Sequence, residues 1–84
     1  MISPQQCRAA RALLDWSQQQ LADRANVGIV TIRQLEASVH EPRRATLDVV
    51  RRALEAGGVE FIDENGGGPG VRLRKPTKPK PTTP

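Results

Sequence analysis

Cysteine and histidine each occur once in the 84 residues, as Cys7 and His40. A lone cysteine excludes an internal disulfide, and with no second Cys or His beside it no zinc site of the usual spacing can form. Cys7 therefore reads as a small buried hydrophobe. His40, in the polar segment "SVHEPRR", is assigned no ligand or catalytic role. Long apolar runs are missing too. None approaches the roughly 18 residues of a membrane span, and Arg8, Arg11 and Asp15 interrupt the first apolar stretch, unlike a secretory leader. The expected location is the cytoplasm. Catalytic sets are also lacking: no nucleophile, base and acid fall into a pattern, and "NGGGPG" (65–70) lacks the Lys-Ser/Thr and following helix of a phosphate-binding loop. Neither an enzyme nor a cofactor is expected.

Acidic residues are absent from one end. Residues 71–84 carry five basic side chains (Arg72, Arg74, Lys75, Lys78, Lys80) and no acidic one, a net of +5. Residues 1–70 carry eight basic and nine acidic, a net of −1, so the overall charge of +4 belongs to the tail. Any affinity of the body for nucleic acid must come from local geometry rather than bulk charge.

With 37% apolar residues, the chain has material for one small domain with a modest core. Ser3, Pro4 and Gln6 spell a helix start: a capping serine, proline at the first turn and glutamine three residues on. Ala10, Leu13 and Leu14 share a face before the helix stops near Asp15. Ser17 and Gln20 repeat the capping pattern, with Trp16 placed as a hydrophobic staple against Leu21. The second helix ends near Ala25, since Asn26 tolerates the left-handed backbone of a sharp turn. Gly28 opens a third helix, 29–37, that buries Ile32 and Leu35. After the loop containing Pro42, the spacing of Leu47, Val50 and Leu54 predicts a fourth helix ending at Gly57 and Gly58. "VEFI" (59–62) and "VRLR" (71–74) then read as two strands around the turn-rich "DENGGGPG". A two-stranded element is marginal alone, so it must pack on the helices or pair with another chain. From Lys75 the Pro- and Lys-rich segment has nothing to bury, and a disordered cationic tail is expected. The division read from the sequence is 1–58, 59–74 and 75–84: a mainly α bundle of about four helices, a two-stranded β element and a tail.

Counted from Gln18, apolar residues fall at the fourth (Leu21), eighth (Ala25), tenth (Val27), fifteenth (Ile32) and eighteenth (Leu35) positions. This places inner faces on two successive helices with Val27 at the corner, while the small Ala22 permits a close, steep crossing.

The segment "WSQQQLADRANVGIVTIRQLEAS" resembles the helix-turn-helix of the lambda-repressor-like, Cro-type (xenobiotic-response-element) regulators, through Ser17-Gln18, Leu21-Ala22, Ile32 and Leu35-Glu36. The likeness covers about residues 3–56. Asn26 stands where the family usually has Gly, and Gly28 where it usually has Ser or Thr. The resemblance implies a repressor that binds double-stranded operator DNA as a homodimer, with helix 29–37 in the major groove. Ile29, Val30, Arg33 and Gln34 would then face bases, with Arg33 suited to guanine, Gln34 to adenine and the aliphatic pair to thymine methyls. Ser17, Gln18, Thr31, Arg43 and Arg44 would face phosphates. Arg11 and Glu36 are implied as a structural ion pair. The strands 59–62 and 71–74 offer edges for dimerisation. A different reading takes the near-neutral body and the apolar Ile29-Val30 edge as marks of a protein-interaction module, an antitoxin or adaptor, with weak or no DNA binding. Having no separate ligand domain, a regulator of this size would be controlled by abundance or by a protein partner.

Overall fold

The computed structural model describes residues 2–39, 42–64 and 66–74. Its order is α1 (Pro4–Leu14), α2 (Gln18–Ala25), α3 (Ile29–Ala37), α4 (Arg44–Gly57), β1 (Val59–Ile62) and β2 (Gly70–Leu73). The chain is thus mainly α, with four helices and a two-stranded antiparallel sheet. His40 and the tail 75–84 lie outside the described residues.

Local chemistry sets the first two helices. The Ser3 hydroxyl accepts from the Gln6 N–H and the Gln6 side chain accepts from the Ser3 N–H, both at 3.0 Å. Ser17 and Gln20 repeat the exchange at 3.0 and 2.8 Å. Each box satisfies amides that a helix start leaves without intrahelical partners. The ends of α1, α2 and α3 turn through left-handed residues, Asp15, Asn26 and Ser38, with φ of 61°, 59° and 59°. At Asn26 this turn lets the Val27 N–H return to the Ala22 carbonyl at 3.0 Å, so only three residues separate α2 from α3.

The core draws on every element except β2, with Cys7 and Ala10 from α1, Leu21 from α2, Ile32 from α3, Val50 and Leu54 from α4 and Val59 from β1 all fully buried. Ile2, ahead of the first cap, joins it. The hairpin has packed onto the helices. Val59 and Phe61 alternate inward with Glu60 and Ile62 outward, and the Gln6 side chain donates to the Gly70 carbonyl at 3.1 Å. The helices and the hairpin therefore share one core across the boundary read at residue 58.

Strand β2 runs one residue earlier than the sequence pattern suggested, Gly70 pairing with Ile62 at its start and Arg74 following its end. The Arg74 N–H donates to the Gly58 carbonyl at 2.8 Å while Nη2 donates to that of Glu55 at 2.6 Å. Trp16 also finds partners other than a staple. A β-carbon at Gly57 would stand 2.7 Å from its Cη2, and the Arg24 guanidinium lies 4.7 Å from the ring centre.

Candidate nucleic-acid interface

Helix α3 buries Ile32, Leu35 and Glu36. At about 100° per residue, these three define an inward direction from which Val30 points almost directly away and Gln34 and Ala37 nearly so, with Arg33 and Thr31 on the flanks. Burial follows this arithmetic. Val30 is 56% exposed, Arg33 and Gln34 are exposed, and Thr31 is half-buried. Ile29 departs from its expected outward position: it is half-buried and packs against the core. The physical reason is that Glu36, on the same side one helical repeat later, is part of the buried face, so Ile29 lies only about 70° from the inward direction. The outward surface of α3 is accordingly Val30, Arg33, Gln34 and Ala37.

A buried charge fixes this orientation. The Glu36 carboxylate accepts from Arg11 Nε at 2.7 Å and Arg11 Nη2 at 2.8 Å, a fork-to-fork ion pair. Gln18 Nε2 adds a third bond at 3.0 Å and the Cys7 thiol a fourth at 3.1 Å. A carboxylate has about four acceptor sites, and here all are filled. Burial raises the Glu36 pKa, but the bonds from Arg11, Gln18 and Cys7 outweigh it and hold the group below the usual carboxylate range. Burial, with the neighbouring carboxylate second, pushes the Cys7 thiol far up, so it stays protonated and donates. Arg11 also donates to the Trp16 carbonyl at 3.0 Å, tying the α1–α2 turn to the same knot. Arg8 Nη1 donates to the main-chain carbonyl of Glu36.

The remaining sequence-derived positions divide into two kinds. Ser17 is exposed but its oxygen accepts from Gln20, and the Gln18 side chain turns toward Glu36, so the unpartnered donors there are the first amides of α2. Arg43 and Arg44 are exposed at the cap and first position of α4. Neither Gly28 nor Arg43 makes a side-chain cap, so α3 and α4 begin with open amides. Two positively charged side chains at a helix start oppose the macrodipole. An anion would relieve them.

Arg8 was not singled out from the sequence, and Cys7 was read as a buried hydrophobe without its bond to Glu36. The available signal was spacing: Cys7, Arg8 and Arg11 lie on one flank of α1, three and four residues apart, but nothing local says that the flank meets a buried carboxylate 25 or more residues on. Among the described residues no group of His, Cys, Asp or Glu could hold a metal, and no helix is long and apolar enough to cross a membrane.

Comparison with curated proteins returns no match. A family model described as helix-turn-helix matches residues 8–62, well over half of the chain, spanning nearly all of α1 through β1. That family comprises DNA-binding regulators and is not a family of enzymes. The packed pair α2–α3, the left-handed turn between them and the matched span agree: the chain belongs to the Cro/C1-type helix-turn-helix family.

Proposed function

We propose that the protein is a sequence-specific transcription regulator of the cytoplasm, a repressor, that binds its operator as a homodimer with α3 in the major groove. The observation that carries this reading is the outward face of α3, where Val30, Arg33 and Gln34 stand free on a helix whose opposite side is fixed by four bonds to one carboxylate. Arg33 would take guanine, Gln34 adenine and Val30 a thymine methyl. Ile29, with part of its side chain in the core, would contribute at the groove edge. Ser17, Thr31, Arg43, Arg44 and the first amides of α2 would meet phosphates, as would Gln18 on leaving Glu36. Tail lysines Lys75, Lys78 and Lys80, lacking an aromatic neighbour, would add affinity without base preference.

Dimerisation through 59–74 is supported by the register of the hairpin. The Arg74–Gly58 bond makes Arg72–Glu60 and Gly70–Ile62 the bonded pairs, so Val71 and Leu73 turn their amides and carbonyls to the outer edge. Leu73 is 53% exposed beside that edge. Because β1 belongs to the core, the test is Leu73→Glu rather than truncation. Sedimentation should show a monomer, and a dimer that persists would move the interface to the helices.

Selection of duplexes from a random pool tests the whole reading. Two half-sites spaced about one helical turn, 34–36 Å, are expected. Replacing thymine by uracil at single selected positions should then cost the wild type affinity and leave Val30→Ala indifferent. The second reading, a protein-docking module controlled by or controlling a partner, is favoured by the exposed Val30 and Val39. A pool that yields no enriched duplex would establish it over the first.

A further inference from the structure

The C-terminal end of a helix leaves its last carbonyls without intrahelical donors. In α3 the Ser38 N–H serves the carbonyls of Gln34 and Leu35, and the Val39 N–H serves that of Gln34. Among the described residues no backbone amide serves the Glu36 carbonyl, and Arg8 supplies a donor from another helix. Glu36 thereby receives Arg8 through its main chain and Arg11, Gln18 and Cys7 through its side chain.

These contacts differ in kind. The carboxylate sits at the end of three rotatable bonds, so fixing it leaves the backbone some freedom. A bond to the carbonyl acts on the helix axis itself. Among the described residues, Arg8 is the one side chain of another helix that bonds to the backbone of α3. We infer that Arg8 is a positioning residue for base reading: it fixes the tilt of α3, and so the reach of Arg33 and Gln34. The inference rests on the DNA-binding reading above.

The lever is short but sufficient. From Val30 the helix rises about 4.5 Å to Arg33 and about 6 Å to Gln34, so a tilt of about 10° pivoting at Val30 moves these two by about 0.8–1 Å. Hydrogen bonds to bases tolerate a few tenths of an ångström, the 2.7–3.2 Å window. An apolar contact near the pivot tolerates the motion better. Loss of Arg8 should therefore blunt discrimination at the base pairs read by Arg33 and Gln34 and spare that read by Val30.

The test uses the full chain, the duplex enriched from a random pool, its single base-pair variants and a scrambled duplex. Arg8→Met keeps the aliphatic stem and removes the donors, while Arg8→Lys keeps a charge and a donor. In Arg8→Met, preference for the enriched duplex over variants at the hydrogen-bonded positions should fall about tenfold, one lost contact's worth. Affinity for the scrambled duplex and its salt dependence should stay those of the wild type, and Arg8→Lys should recover most of the preference. Exchange of the Ser38 and Val39 amides should quicken in free Arg8→Met. Uniform weakening with the salt slope reduced by about one would mean a direct phosphate contact and overturn the inference. So would a lower melting temperature with preference intact. A wild type that prefers no duplex ends the DNA-binding reading itself, whereas a wild-type preference that Arg8→Met retains ends this inference alone.

Discussion

Helices α1 and α2 begin with a serine and a glutamine that cap each other's backbone within four residues. Helices α3 and α4 begin with Gly28 and Arg43, whose side chains cap nothing, and at their other ends take, beside the local caps Ser38 and Gly58, bonds from arginines far along the chain, Arg8 on Glu36 and Arg74 on Glu55. One half of the molecule is organised by neighbours in sequence, the other by neighbours in space. The difference has a functional sense. A capping box occupies the third amide of its helix and leaves the first two open, as in α2, whereas the start of α4 has no side-chain cap at all and carries two arginines beside its open amides.

The sharpest way to break this contrast is to remove the remote support. Arg11→Ala leaves the Glu36 carboxylate, 3% exposed, without its fork. A loss on the order of 3 kcal/mol is expected, against under about 1 for a surface pair, and thermal melts read it directly. A melt matching the wild type would show that Gln18 and Cys7 suffice.

The second test concerns Gly57. Local propensity says that alanine at the end of α4 should help by about 0.5–1 kcal/mol. Spatial packing says the reverse, since the new methyl would stand 2.7 Å from the Trp16 ring and 2.9 Å from Leu14 Cδ1. Overpacking of this kind costs about 1–3 kcal/mol, so Gly57→Ala should lower the denaturant midpoint. A raised midpoint would return α4 to the locally governed class.

Next come the caps themselves. Ser17→Ala should cost about 1 kcal/mol. Arg43→Asp should do the opposite in the free protein, adding about 1 kcal/mol by capping α4 and complementing its dipole, while weakening binding to every duplex. Stability and affinity moving together would mean that the open start of α4 is not kept for phosphate.

The smallest effect appears only in acid. The folded Glu36 carboxyl titrates below its ordinary value of 4.5, so the unfolded chain takes up its proton first as pH falls. Its stabilisation is present above 4.5 and is lost progressively as pH drops through the folded value. A midpoint series from pH 6 downward should fall more steeply in wild type than in Glu36→Gln.

The same contrast explains what could be read from the sequence. Ser3 with Gln6, Ser17 with Gln20, Asn26 at the turn and the Leu47-Val50-Leu54 spacing are all signals within one or two turns of chain, and the four helices follow from them. The outward set Val30, Arg33 and Gln34 is equally local, being a matter of helical angle. Ile29 was harder because the inward direction depends on Glu36, a charged residue whose burial requires Arg11 from another helix. Arg8, the thiol of Cys7 and the Trp16–Gly57 contact join residues 28, 29 and 41 positions apart. Pattern along the chain has no access to such pairs. Of the residues that hold the outward face of α3 in place, the Arg11–Glu36 pair was therefore reached only through the family resemblance, and Arg8 and the Cys7 thiol not at all.

Asp15, Asn26 and Ser38 each occupy the left-handed backbone region that glycine enters without penalty. The sequence thus carries unspent room for adaptation. Glycine at 15 or 38 should each raise stability by roughly 0.5 kcal/mol or more, after its own greater freedom in the unfolded chain is set against the relief. Neither position lies on the outward face of α3, so a lineage could take such a change first and then tolerate costlier residues at Val30, Arg33 and Gln34, the positions proposed above to face bases.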